Sequence, residues 1–295
     1  MRPVMIHPPV TAITARRPDG DLSRAPFSRR WRCAVLLLLG FVLIAPAAPA
    51  GATDNGPSTA WTAALIAVPP VGGRRLPIFG RWRDSFVQRA VQEMPETVRL
   101  PAVLFMHGCD GIGGEEEAAR ILFMEWGYAT FIPDSFARAG RRSNCATADF
   151  ATSRAPESHD YRLQELAYGI QALHSLSWID HDRIFAYGFS EGGMAVARYE
   201  GNGLSGRVIT GWHCRGIGPY DGIGAPRDTP LLAILGDRDP WYAAKPGEHC
   251  GQVFDGRADA ESIILPGNGH AILNSPDLAN AERARKAIRT FLDGH

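Results

Sequence analysis

A serine, a carboxylate and a histidine can together transfer an acyl group, and this sequence offers each where that chemistry needs it. Ser190 stands in Gly188-Phe189-Ser190-Glu191-Gly192, after the apolar run Arg183–Tyr187 and before a helical stretch. Such a strand-to-helix turn needs small neighbours and lifts the hydroxyl above a sheet, with the following helix amides aimed at developing negative charge. A glycine-rich turn with an inert serine is the alternative reading. A serine hydroxyl is a weak nucleophile, so a base must take its proton. His270, in Pro266-Gly267-Asn268-Gly269-His270-Ala271 after the last expected strand, is the candidate. Its imidazole needs a carboxylate to fix the tautomer. Gly236-Asp237-Arg238-Asp239 offers two; Asp239 is the better placed, and Asp237 suits capping the turn or pairing with Arg238. Two backbone amides must hold the oxyanion. The candidates are Glu191, following the serine, and Cys109, in His107-Gly108-Cys109-Asp110-Gly111. His107 itself reads as a structural side chain bonded to its own loop.

The surrounding elements suit these roles. Expected strands cover Ala63–Val68, Leu76–Trp82, Pro101–Met106, Tyr128–Ile132, Arg183–Tyr187, Val208–Trp212, Leu231–Leu235 and Ser262–Leu265. Helical spacing marks Glu115–Trp126, Ser158–Leu176, Gly193–Tyr199 and Leu278–Leu292, while residues 83–98 are ambiguous and residues 137–157 read as an exposed loop. Strands alternating with helices from residue 100 onward predict an α/β fold, a mostly parallel sheet with helices on both faces and ligands at the carboxyl ends of the strands.

The first fifty residues differ from the rest. Arg29, Arg30 and Arg32 precede an apolar run from Cys33 to Ala45, and Ala48-Pro49-Ala50 follows. That order predicts an export signal over residues 1–50, cut near Gly51, with a single domain over residues 51–295. Ser28-Arg29-Arg30 hints at twin-arginine export, and an uncleaved anchor is the competing reading. The apolar run is too short for a stable membrane span. Residues 1–50 hold seven arginines against Asp19 and Asp21, so the uncharged whole chain leaves a mature protein near −5. That balance argues against nucleic acid as a partner. Four cysteines remain after residue 50, and an even number in an exported chain favours disulfides, with three connectivities open. His213-Cys214 and His249-Cys250 keep a zinc reading open. Arg138, with Arg141 and Arg142, is a candidate to receive a substrate carboxylate, against the plainer reading of a solvated loop face. Trp241, with Tyr242 and Trp212, is a candidate to line an apolar acyl pocket, against ordinary packing.

Over roughly residues 60–295 the chain resembles the dienelactone hydrolase family of α/β-hydrolases. The resemblance rests on His107-Gly108-Cys109-Asp110-Gly111, Pro133-Asp134-Ser135-Phe136, Gly188-Phe189-Ser190-Glu191-Gly192-Gly193, Gly236-Asp237-Arg238-Asp239 and Gly269-His270-Ala271. It implies an α/β-hydrolase fold, a Ser190–Asp239–His270 triad, and Cys109 and Glu191 as oxyanion donors. One departure matters: the founding members use a cysteine nucleophile, and this chain has serine, so hydrolysis is implied more strongly than any one substrate. Within this picture, Cys109–Cys145 and Cys214–Cys250 bridges would each tie neighbouring loops of the site. The expected activity is that of an exported, periplasmic or secreted serine hydrolase on a small ester or lactone, requiring no metal or cofactor. A peptidase or amidase on the same fold is the alternative, and a non-catalytic binding protein on this scaffold is a third reading.

Overall fold

The computed structural model describes residues 55–143, 145, 157–216, 220–240 and 247–295. The expected export segment, Trp241, Tyr242 and residues 144 and 146–156 of the expected loop lie outside the described residues.

The apolar runs form one sheet of eight strands among the described residues. In chain order these are β1 (Leu65–Val68), β2 (Ile78–Arg81), β3 (Leu100–Met106), β4 (Ala129–Ile132), β5 (Ile179–Phe189), β6 (Gly206–Thr210), β7 (Leu231–Gly236) and β8 (Ala260–Leu265). Their spatial order is β2-β1-β4-β3-β5-β6-β7-β8. β1 runs antiparallel to both β2 and β4, and every other pairing is parallel.

Period-two alternation divides each central strand between two cores. Ala102, Leu104 and Met106 of β3 face one cluster, and Val103 and Phe105 face the other. β5 divides likewise, with Ile184 and Ala186 opposite Phe185, Tyr187 and Phe189. The first face is covered by α1 (Pro57–Thr62), α2 (Ser85–Gln92), α4 (Glu157–His174) and α5 (Glu191–Arg198), through Trp61, Val87, Leu166, Ile170 and Val196. The second is covered by α3 (Gly114–Glu125) and α6 (Leu278–Gly294), through Ala119, Phe123, Ala284, Ile288 and Leu292. Each fully buried Leu or Phe contributes roughly 1.5–3 kcal/mol relative to exposure. No helix among the described residues is long and apolar enough to cross a membrane.

Three elements depart from expectation. α1 precedes β1, where no helix or strand was expected. It forms because Trp61 is buried and stacks on Phe131, with ring centroids 5.3 Å apart. The ambiguous segment 83–98 contains helix α2. β5 is longer than the apolar run Arg183–Tyr187: it reaches back through Asp180, His181 and Asp182, because Ile179 pairs with Leu100 before the ladder resumes at Ala102–Ile184.

Because β3, β5, β6, β7 and β8 are parallel, their carboxyl ends share one edge. The loops after Met106, Phe189, Gly236 and Leu265 therefore gather there, as in other open α/β sheets.

Candidate active site

Ser190 sits between β5 and α5 with φ 56° and ψ −117°, a left-handed conformation that is costly for a residue with a side chain. The surroundings hold it there. Its N–H donates to the Thr210 carbonyl at 2.8 Å, and its carbonyl accepts from Met194 N–H at 3.1 Å. The glycines on either side are required by close approach. A Cβ on Gly192 would lie 1.9 Å from the Met106 carbonyl oxygen, and one on Gly188 would lie 2.3 Å from the Gly192 oxygen. Sequence dictates this turn through those two positions.

His270 follows β8, and Asp239 follows β7. Nδ1 of His270 lies 2.7 Å from Oδ2 of Asp239, whose side chain is fully buried. With the Nδ1 proton donated to that carboxylate, Nε2 keeps the lone pair a base needs. The imidazole packs against Phe189, the residue before Ser190, with ring centroids 4.9 Å apart. A Cβ on Gly211 would meet both rings, at 2.9 Å from Phe189 and 3.2 Å from Cε1 of His270. Asp237 instead accepts from Gly267 N–H at 2.6 Å, tying the acid loop to the histidine loop.

The loop after β3 lies beside the serine turn, because Met106 pairs with Gly188 in the sheet. Gly108 and Gly111 close a tight turn around Cys109 and Asp110. A Cβ on Gly108 would lie 3.2 Å from the Phe189 ring. The structure thus brings Cys109 and Glu191 onto neighbouring loops at one sheet edge. His107 is buried and bonded to backbone on both sides: Nδ1 to the Gly108 carbonyl at 2.7 Å, and Nε2 accepting from Ser135 N–H at 3.1 Å. Burial and then the charge of Arg162 hold it well below the usual histidine range, so it stays neutral.

A buried ionic cluster begins at Glu191, the residue after the serine. Glu191 is bonded by Arg141, and Arg162 Nε approaches it to 3.7 Å. Arg162 and Arg138 both contact Glu165, at 2.9 and 3.4 Å. Ser135 bridges the groups, donating to Glu165 at 2.9 Å and accepting from Arg141 at 3.1 Å. Removing one partner from such a buried network typically costs about 3–5 kcal/mol. Arg138 is therefore neither solvated nor turned to solvent. It also donates to the Asn55 carbonyl at 3.0 Å and to Gln164 at 3.0 Å, and it stacks over Tyr161. Trp212 is buried in the core, whereas Arg142 is exposed and lies 3.4 Å from Glu157.

Both expected disulfides are present, Cys109–Cys145 and Cys214–Cys250. The second commits both sulfurs of the two His–Cys pairs, leaving no thiolate there for zinc. The remaining group of ligand-type atoms among the described residues is Cys109, Asp110 and Cys145, and two of those are spent on the first disulfide. Sequence reasoning gave Ser135 no role of its own, and it missed Arg162 and Glu165 and the buried carboxylates Glu115 and Glu116. Nothing in residue type separates these from surface charges on a helix.

The model of the dienelactone hydrolase family matches residues 88–293. No curated protein sequence matches the chain significantly. Among solved structures, the chain is similar to a Klebsiella pneumoniae protein assigned as a dienelactone hydrolase, with TM-score 0.56, 17% identity, 79% of this chain covered and 100% of that one. It is similar to a dienelactone hydrolase-like promiscuous phosphotriesterase from metagenomic libraries, with TM-score 0.52, 16% identity, and coverage of 79% and 98%. It is also similar to a hyperthermophilic esterase from the archaeon Pyrobaculum calidifontis, with TM-score 0.50, 17% identity, and coverage of 81% and 88%. At these identities the likeness is one of fold, and it agrees with the sheet described above.

Proposed function

The chain belongs to the dienelactone hydrolase family of the α/β-hydrolase fold, and from that membership we propose that it is an exported serine hydrolase acting on a small ester or lactone through an acyl-enzyme on Ser190. Ser190 Oγ attacks the carbonyl carbon while His270 Nε2 takes its proton. The amides of Cys109 and Glu191 hold the oxyanion, and preorganised donors of this kind contribute about 2.7–4 kcal/mol each. As the tetrahedral adduct collapses, His270 returns the proton to the leaving alcohol. Water, deprotonated by the same imidazole, then releases the acid. The scheme calls for no metal or cofactor.

The observation that carries this reading is the 2.7 Å contact of His270 Nδ1 with buried Asp239, on a ring packed against Phe189, the residue before a serine held at positive φ. Two disulfides support export, since such bridges persist in oxidising compartments. The test is hydrolysis of p-nitrophenyl acetate and butyrate, a simple γ-lactone and aminoacyl p-nitroanilides, by wild type and Ser190→Ala. Turnover of the esters or the lactone is expected, with a loss of at least ~1,000-fold in the variant. Faster cleavage of the anilides would favour an amidase. Undiminished turnover by the variant would remove Ser190 from the chemistry.

A further inference from the structure

Acidic residues in a helix's first turn usually sit in solvent and favour the helix dipole. Glu117 of α3 fits that pattern, half exposed beside Arg120. Its two predecessors do not: Glu115 is 5% exposed and Glu116 2%. Burial pushes both carboxyls above the usual glutamate range, so keeping them there opposes folding unless specific bonds compensate.

Those bonds go to the two loops that carry the site. Glu116 accepts from Gly108 N–H at 3.1 Å and from Gly113 N–H at 2.9 Å, at both ends of the loop holding Cys109. Glu115 reaches the other way. It accepts from Ile272 N–H at 3.2 Å, Leu273 N–H at 2.8 Å and Asn274 N–H at 2.9 Å, starting two residues past His270. A capping role would need only the bond from Glu116 to Gly113. It would not send the neighbouring carboxylate to a segment more than 150 residues away in sequence. On its other flank the histidine loop is tied by Asn268, whose Nδ2 donates to Gly269 and Ala271 carbonyls at 3.1 and 2.8 Å. His270 thus sits on a short tether between Asn268 and the Glu115 carboxylate.

We propose that Glu115 and Glu116 form a clasp of two positioning residues: Glu115 sets the imidazole through the histidine loop, and Glu116 sets the oxyanion loop. This rests on the triad reading above. Misplacing a reacting group by about 1 Å can cost on the order of 100-fold in rate, so the clasp acts on turnover rather than on substrate affinity.

The test compares Glu115→Gln, Glu115→Ala and Glu116→Gln with wild type on p-nitrophenyl acetate, each also in a His270→Ala background, with Ser190→Ala in parallel. Glu115→Ala is expected to lower kcat about 10- to 100-fold with KM within about twofold. Glu115→Gln, which keeps one acceptor oxygen, is expected to fall between it and wild type. Should the alanine variant fail to fold, the glutamine variant carries the comparison. In the His270→Ala background the Glu115→Gln effect should vanish, because its route runs through the imidazole, while that of Glu116→Gln should persist. The proposal is overturned if Glu115→Gln lowers only the melting temperature with kcat unchanged, if KM rises instead, or if its effect survives loss of His270. It is also overturned if the Glu116→Gln effect disappears with His270. Loss of turnover in Ser190→Ala beside an unaffected Glu115→Gln would sink the clasp alone. Persistence of turnover in Ser190→Ala would sink the triad reading itself.

Discussion

Ser190, Asp239 and His270 each follow a parallel strand at a glycine-punctuated turn. Charged side chains are buried near them. Glu191 looks like any residue inside a glycine-rich turn, yet its carboxylate anchors Arg141. Glu115 and Glu116 carry the same letters as a solvated first turn. His159 is another such residue. It is buried, tilted at 43° against Tyr220 with ring centroids 4.0 Å apart, and burial, reinforced by Arg141 and Arg162, pushes it down to about 4 from an ordinary 6.5. A histidine depressed in the folded state is protonated first in the unfolded chain. It therefore removes stability as pH falls from about 6.5 toward 4, by up to ~1.4 kcal/mol per pH unit. Glu115 and Glu116 act with the opposite sign, because their raised folded values favour the native state as pH falls toward the ordinary glutamate range. Comparison with His159→Gln cancels them. Between pH 7 and 5, urea unfolding should show wild type losing about 1–2 kcal/mol more than this variant, and parallel losses would contradict the assignment.

At the level of elements, the loops after β3, β5, β7 and β8 converge because their strands are parallel, and the central apolar runs made that legible. What escaped was set by partners distant in sequence. α1 spans Pro57–Thr62 with little helix preference of its own and depends on Trp61 finding Phe131. The start of β5 looks polar and depends on Leu100 for pairing. The loop holding Cys109 is likewise held from a distance, through Cys145. For a separation of 36 residues, chain entropy gives such a bridge about 3–4 kcal/mol. The Cys109→Ser/Cys145→Ser double variant should lose stability of that order. It should also lose kcat on p-nitrophenyl acetate, because the loop proposed to hold the oxyanion is freed on one side. Unchanged kcat at a lowered melting temperature would confine the bridge to a structural role.

Across the whole molecule, the sheet and its two cores organise the described residues between 55 and 295, and the proposed export signal occupies residues 1–50. Processing near Gly51 would leave an acidic hydrolase carrying two disulfides. N-terminal sequencing of the protein recovered from a periplasmic or culture fraction should begin at or close to residue 51, and an intact N-terminus in the membrane fraction would indicate an anchor instead. Reactivity at Ser190 is likewise a property of the assembled molecule, since a serine becomes reactive only when folded beside its base and acid. The direct measurement is mass spectrometry after incubation with a fluorophosphonate. One adduct per chain is expected, mapped to the Ser190 peptide, absent in Ser190→Ala and formed far more slowly in His270→Ala. Folded wild-type protein that stays unlabelled, or that carries its adduct on another residue, would contradict the Ser190 assignment.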